Sequence, residues 1–316
     1  MSTPEILLVR GEQPPEHRER IRAAAGGARV EFVPDLEEDP SLLARATAIA
    51  GGAPQGVLAA APRVRWVHSW AAGPDVDLTD EVRSSDVVLT SSVGNGAIPL
   101  AEHAMLLMLQ LDRDSERWAR AQRERRWERH QHGELAGATL GLFGVGHAGA
   151  DLAAKAAAFH MRVLGCRRRP SIPVPHVEAM YGFDQLHTFL AQCDVVVVSV
   201  PSTATTRGAL DEAALRAMRP GAHLVCISRG GIIDDAALLR ALHDGHLGGA
   251  GLDAHSLEPL PEDSPFWGAP RTIITPHNGA TTPGTSARGF AYYLENVARF
   301  VQGRDLLRVV DKAAGY

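Results

Sequence analysis

Short apolar runs recur along the chain, and between them lie stretches whose apolar positions return at helical spacing. The runs Ile6–Val9, Val30–Val33, Val64–His68 and Val87–Thr90 predict strands, and the segments Glu16–Ala25 and Pro40–Ile49 between them predict helices. A longer helix is predicted from near Pro99, with Ala101, Met105, Leu106, Met108 and Leu109 on its apolar face, running into the Arg/Glu-rich stretch Asp112–Arg129. Charges of both signs are mixed there, which marks a solvated helix face and not a phosphate-binding patch. A second series of runs follows at Ala138–Phe143, Met161–Cys166, Asp194–Val200, Leu224–Ser228, Gly249–Leu252 and Thr272–Thr275, with helical gaps between them. Pro283–Gly303 predicts a last helix that returns to the first domain. Strands alternating with helices over most of the length predict an α/β protein of two doubly wound parallel sheets.

Composition narrows the possibilities. The 316 residues suffice for two domains with buried cores, and 45% hydrophobic with 22% charged residues is ordinary for a globular chain. No apolar run is long enough to predict a transmembrane helix. Met1–Arg10 passes straight into a strand without a basic leader, so a cytoplasmic location is expected. A net charge of −5 speaks against a general nucleic-acid binder, and no membrane partner is expected. Cys166, Cys193 and Cys226 lack metal-type spacing and lie in apolar segments, as reduced structural thiols do. The histidine pairs His130/His132 and His243/His246 lack supporting carboxylates or thiols, so no metal is expected.

Candidate chemistry begins at Gly144-Val145-Gly146-His147-Ala148-Gly149, which closes the strand Ala138–Phe143 and opens an Ala-rich helix predicted over Ala150–Phe159. In that context Gly144 allows a tight turn, Gly146 lets the backbone approach a pyrophosphate, and Gly149 permits close packing of helix on strand. The helix N-terminus then offers unpaired N–H groups to the phosphates. The next strand ends not in a carboxylate for a ribose hydroxyl but in Arg167-Arg168-Arg169, which favours the 2′-phosphate of NADP(H), with NAD(H) possible. Further on, Arg229, Asp253, Glu258 and His277 each sit in a Gly- or Pro-marked context. An arginine, carboxylates and an imidazole downstream of a dinucleotide loop fit a site that grips an anion while moving a hydride and a proton.

These motifs, in this order, resemble the D-isomer-specific 2-hydroxyacid dehydrogenase family, which includes glyoxylate/hydroxypyruvate reductases and phosphoglycerate dehydrogenases. The resemblance rests on the glycine loop, Val200-Pro201 with Thr203 and Thr206, Ser228-Arg229-Gly230-Gly231-Ile232-Ile233-Asp234, Gly251-Leu252-Asp253, Glu258-Pro259-Leu260-Pro261, Ser264-Pro265-Phe266-Trp267 and Pro276-His277. It covers nearly the whole chain. It implies that Arg229 binds the substrate carboxylate, that His277 is the general acid, and that Glu258 orients His277. Asp253 is implied to contact the nicotinamide end of the cofactor, with Val200, Pro201, Thr206, Ile227, Ser228 and Gly279 completing the cofactor site. Trp70-Ala71-Ala72-Gly73 occupies the place of a substrate-binding loop, with Trp70 and Pro74 as departures from the family pattern, and Asn95–His103 resembles the segment entering the inter-domain helix.

The organisation so implied is a substrate domain of residues 1–99 plus 283–316 and a dinucleotide-binding Rossmann domain of residues 100–282, with a cleft between them. The implied activity is NADP(H)-dependent reduction of a small 2-oxoacid, of glyoxylate or hydroxypyruvate type, to the D-2-hydroxyacid, by a homodimer. A larger or phosphate- or phosphonate-bearing 2-oxoacid is the alternative substrate, and a dinucleotide-sensing, corepressor-like protein the alternative function. Formate dehydrogenases of this fold pair the histidine with glutamine, so Glu258 argues against that activity.

Overall fold

The computed structural model describes residues 5–316 as two units, one of residues up to Asn95 together with Thr282–Tyr316, the other of Gly96–Thr281. In the first unit, the elements up to Asn95 are β1 (Ile6–Arg10), α1 (Pro15–Ala25), β2 (Arg29–Val33), α2 (Pro40–Leu43), β3 (Ala48–Ala50), α3 (Val57–Ala60), β4 (Trp66–Ser69), α4 (Asp80–Ser84) and β5 (Val88–Ser91). The sheet is parallel, in the order β2-β1-β3-β4-β5. Its central strands are buried on both faces, which is why they read as continuous apolar runs. Alternation still sorts them: Ile6 and Leu8 join the core on one side, Leu7 and Val9 the core on the other.

β3 departs from the helix expected over Pro40–Ile49. The helix there is a single turn, capped by Asp39, whose side chain accepts from the N–H groups of Ser41 and Leu42, both at 3.0 Å. Thr47 then draws the chain onto β1: its N–H reaches Ile6 O at 2.8 Å, and its hydroxyl lies 3.0 Å from Ile6 N and 3.1 Å from Ile6 O. Pairing with β1 and β4 extends Ala48–Ala50, three residues whose small side chains carry little strand signal of their own.

The second unit opens with α5 (Ala97–Arg113) and α6 (Ser115–Arg123). The single long helix expected here breaks at Asp114, which takes a left-handed backbone with φ 50°. Beyond it, Arg126 pairs with Glu124 and Glu128, so the charged stretch neutralises itself locally. Then follow β6 (Thr139–Phe143), α7 (His147–Ala158), β7 (Arg162–Cys166), β8 (Ala179–Tyr181), α8 (Leu186–Leu190), β9 (Val195–Val198), α9 (Glu212–Ala217), β10 (His223–Cys226), α10 (Asp235–His243), β11 (Gly249–Leu252) and β12 (Thr272–Ile274). All strands are parallel, in the order β12-β11-β10-β9-β6-β7-β8. The order reverses between β6 and β9, and in such sheets ligands bind beyond the carboxyl ends of the strands at the reversal. The edge strand β8 was not expected from the sequence.

The last helix, α11 (Pro283–Val301), returns to the first unit, capped by Thr282, whose hydroxyl accepts from Thr285 N–H at 3.1 Å. Its Phe290, Tyr293 and Val297 share a core cluster with Leu7, Val9 and Trp66. Among the described residues no helix is long and apolar enough to cross a membrane.

His68 lies wholly inside this unit at 0% exposure, flanked by Trp66, Trp70 and Tyr293. Its Nδ1 is 2.9 Å from Thr90 Oγ1, which accepts from Trp66 Nε1 at 2.9 Å, while its Nε2 meets no partner among the described residues. Burial pushes the imidazole from 6.5 down to about 3. Below pH 6.5 the unfolded chain therefore takes up a proton that the folded chain refuses, and stability present above pH 6.5 is lost as pH falls toward 3. Between pH 7 and pH 5 this one group is expected to remove about 2 kcal/mol, at about 1.4 kcal/mol per pH unit. His223, pushed down to about 4 by burial and by Arg271, acts in the same direction. Urea unfolding at the two pH values should show a smaller pH dependence in His68→Asn than in wild type; equal dependence in both would sink the assignment.

Candidate active site

The glycine loop is shaped by close contacts at its first and last glycines. Gly144 has φ +107°, and a Cβ there would lie 2.6 Å from the Ser199 carbonyl carbon and Val200 N. Ser199, just past β9, donates its hydroxyl to Gly144 O at 2.7 Å and clasps the turn. A Cβ on Gly149 would meet Gly144 O at 2.5 Å, so α7 can seat on the loop only with glycine at that position. Gly146 is different: it is the exposed N-cap of α7, and nothing lies within 4 Å of where its Cβ would be. His147 is exposed and Ala148 half-buried in the first helical turn. The helix N-terminus thus faces open space with its N–H groups forward.

Across the strand-order reversal, Val200 is buried and Pro201 half-buried. Thr206 is buried too, and its hydroxyl is spent inside the turn, donating to Pro201 O at 2.6 Å and accepting from Thr203 N–H at 2.8 Å. It braces the loop from within instead of facing outward. The β7 end is likewise divided. Arg167 turns back, donating from Nη1 to Val145 O at 3.3 Å and from Nη2 to Ile172 O, so its guanidinium ties β7 to the glycine loop. Arg168 and Arg169 are exposed.

The arginine, glutamate and histidine follow three adjacent strands. Ile227 is buried and Ser228 half-buried past β10, and Arg229 after them is half-buried, its Nη1 donating to Ser228 O at 2.9 Å. Glu258 follows β11, before a cis peptide bond to Pro259, and His277 follows β12. Glu258 Oε1 accepts the His255 N–H at 2.8 Å, and Oε2 lies 2.7 Å from His277 Nδ1. Burial opposes ionisation of Glu258, but the bonds from His255 N–H and His277 outweigh it and hold the carboxyl below its ordinary range. An ionised carboxylate only accepts, so the Nδ1 proton is committed to it and Nε2 is the nitrogen left for other chemistry.

Asp253, which the family resemblance assigns to the nicotinamide end of the cofactor, is bonded within the protein through both oxygens. It is 0% exposed, and both oxygens point into the protein. Oδ1 accepts from Thr275 Oγ1 at 2.6 Å and Asn278 N–H at 3.1 Å, Oδ2 from Gly279 N–H at 3.0 Å, and His103 Nε2 lies 3.4 Å from Oδ1. Burial alone would raise its pKa; the bonds from His103, Thr275 and Gly279 reverse that and keep it well below the usual carboxylate range. Gly279 is buried against this carboxylate, where a Cβ would sit 2.8 Å from Oδ2. Asp253 and Gly279 therefore shape the segment carrying His277. His103 and Thr275 in this cluster were not singled out from the sequence: His103 stands 172 positions from Thr275, and no local pattern links them.

In the other unit, Trp70-Ala71-Ala72-Gly73 follows β4 at the carboxyl end of its sheet. The bulky Trp70 folds back onto Tyr293 and His68, with ring centroids at 4.7 and 5.2 Å. Ala71 N–H is taken by Ser69 Oγ at 3.2 Å, and Ala71 and Ala72 are exposed while Gly73 is half-buried. Among the described residues no cluster of three or more His, Cys, Asp or Glu is placed to hold a metal ion.

Comparison with known proteins places this geometry. The family pattern "D-isomer specific 2-hydroxyacid dehydrogenase, NAD binding domain" matches residues 105–279. A D-isomer specific 2-hydroxyacid dehydrogenase from Xanthobacter autotrophicus, solved with NADPH and MES, is 29% identical with a TM-score of 0.85, each chain covering 100% of the other. An NADPH-dependent glyoxylate/hydroxypyruvate reductase from Sinorhizobium meliloti, solved with NADP and sulfate, is 30% identical with a TM-score of 0.83, over 99% of this chain and 100% of that one. The D-3-phosphoglycerate dehydrogenase of Mycobacterium bovis is 30% identical over 299 residues, 93% of this chain but only 55% of that protein, so the chain spans about half the length of that curated relative. The chain belongs to the D-isomer specific 2-hydroxyacid dehydrogenase family.

Proposed function

We propose that the protein is an NADP(H)-dependent reductase of small 2-oxoacids, of glyoxylate or hydroxypyruvate type, yielding the D-2-hydroxyacid. The observation that carries this reading is the 2.7 Å contact of Glu258 with His277 Nδ1, on segments that follow β11 and β12, beside the strand β10 that Arg229 follows. The glycine loop fits a dinucleotide: Gly146 leaves open space before the N-terminus of α7, which suits a pyrophosphate. When bound, the reduced nicotinamide supplies the hydride. The half-buried guanidinium of Arg229 holds the substrate carboxylate and polarises the adjacent ketone. His277, its Nδ1 proton held by Glu258, delivers a proton from Nε2 to the ketone oxygen as C2 is reduced, so the product leaves as the hydroxyacid. The backbone of Trp70–Gly73 is assigned to substrate binding, through the N–H groups of Ala72 and Gly73.

For the cofactor, Arg168 is the residue assigned to the 2′-phosphate, while Arg167 supports it by fixing the glycine loop. NADP(H) is thus preferred and NAD(H) tolerated. Val200, Pro201, Ile227 and Ser228 wall the cofactor, and Thr206, Asp253 and Gly279 hold those walls in place. A homodimer is proposed from the aromatic surface of the second unit, where Trp127 is 96% and Trp118 40% exposed. A cytoplasmic location fits three buried, unpaired thiols.

Oxidation of NADPH and NADH is to be followed with glyoxylate, hydroxypyruvate, phenylpyruvate and phosphonopyruvate. NADPH-linked turnover on the smaller acids is expected, with His277→Ala lowering kcat by about 10²- to 10⁴-fold. Preference for phosphonopyruvate would move the reading to a larger anionic substrate, and tight NADPH binding without any turnover would move it to a sensor. Independently, Arg168→Ala is expected to raise KM for NADPH by about 10-fold or more, the scale of one lost charge-assisted contact, and to leave KM for NADH within a factor of about two. Equal effects on both cofactors would remove Arg168 from the 2′-phosphate site.

A further inference from the structure

The reductase reading assigns no role to His103, yet this side chain is built into the segment that carries His277. It stands on α5, two turns into the helix, with 13% of its side chain exposed. Its Nε2 lies 2.9 Å from Thr275 Oγ1 and 3.4 Å from Asp253 Oδ1. The proton count fixes its tautomer. Asp253 is ionised and only accepts, so the Thr275 hydroxyl gives its single hydrogen to Oδ1 at 2.6 Å. Thr275 Oγ1 can then only accept from His103, and Nε2 must carry a hydrogen. One imidazole N–H is therefore shared between a hydroxyl and the carboxylate that the hydroxyl serves. The ring is also seated flush: a Cβ on Gly279 would come within 2.9 Å of His103 Cδ2.

The anchored segment is the one with the unusual backbone. His277 has φ +50°, a left-handed conformation that L-residues other than glycine rarely adopt, and its N–H bends back to Thr275 O at 3.0 Å. On one side Thr275 bonds to Asp253, and on the other Asn278 and Gly279 do so through their N–H groups. A single buried carboxylate thus holds both flanks of His277, and His103 is the one donor to it that comes from a distant element.

We propose that His103 is a positioning residue: its Nε2–H fixes the Asp253–Thr275 pair and, through it, the backbone that aims His277. Its effect on turnover rests on the reductase reading above; its effect on the segment does not. His103→Leu removes the donor and keeps apolar bulk, His103→Gln restores an N–H at similar reach, and Thr275→Val cuts the link between imidazole and carboxylate.

Two readouts are taken on the full chain. The first is kcat and KM with the best 2-oxoacid. The second is amide hydrogen exchange at Asn278 and Gly279, with β6 and β9 as internal controls. His103→Leu is expected to lower kcat by about 10- to 100-fold, the scale of a slightly misplaced catalytic group, while KM for the acid and for NADPH change less than about threefold. Exchange at Asn278 and Gly279 should quicken by about 10-fold or more with the strands unchanged. Gln should recover most of both effects, and Thr275→Val should reproduce the loss without adding to it in the double variant. The proposal is overturned if His103→Leu retains wild-type kcat and exchange, or if Gln and Leu lose equally, which would make the ring a packing element. Should His103→Leu fail to fold, Gln and Thr275→Val decide the matter by the same two readouts. Should wild type turn over no 2-oxoacid, the reductase reading fails, while the exchange data still rule on His103.

Discussion

A carboxylate sealed from water is costly unless donors replace its hydration, and the Thr275–Gly279 segment is organised around meeting that demand at Asp253. Its donors are a hydroxyl, two backbone N–H groups and an imidazole. Three of them belong to the segment that follows β12, so solvating the charge and shaping the segment are one event. The left-handed turn at His277 is held by bonds that exist for another reason. Glu258 then acts on an imidazole whose backbone is already placed, and its own carboxyl is steadied by the His255 N–H three residues before it.

The site is therefore made of two kinds of polar group with opposite orientations. Thr206, Ser199, Asp253 and Arg167 spend their hydrogen bonds inward, on the carbonyls and N–H groups of the loops that surround the carboxyl ends of the sheet. Gly146, Arg168, Glu258 and His277 lie at the surface of those loops. Parallel strands favour this division, since all their loops at one edge crowd together and leave many backbone groups that no ladder can satisfy. Buried side chains supply the missing partners behind those surface residues.

That division marks the limit of what the sequence discloses. Val195–Val198 announces itself as a strand because it is covered on both faces, and the glycine loop because Gly144 and Gly149 each answer a steric need. Glu258 and His277 stand out in the sequence as candidates, being polar residues in Pro-marked turns. Their supports do not: that Asp253 bonds Asn278 and Gly279 depends on backbone direction, which residue type does not encode. Arg167 and Arg168 are neighbours of the same type with different placements, one folded onto Val145 O and the other exposed. Ala48–Ala50 and Ala179–Tyr181 escape notice because three residues cannot establish a period, and the break at Asp114 because nothing in its side chain forbids helix. In each case tertiary contacts override a weak local preference.

The interruption of one unit by the other bears on how the chain is made. Asn95 leaves the β1–β5 unit and Thr282 re-enters it, whereas Gly96–Thr281 is continuous. Phe290, Tyr293 and Val297 of α11 complete the apolar core over Leu7, Val9 and Trp66. A ribosome delivers residues in order, so that face of the sheet emerges early and is covered only by α1 while the whole intervening unit is synthesised. The continuous unit can close its core in the meantime. A nascent chain halted at Thr281 holds the complete dinucleotide loop and His277, and its first sheet still lacks one of its covering helices, an apolar surface of the kind that chaperones shield.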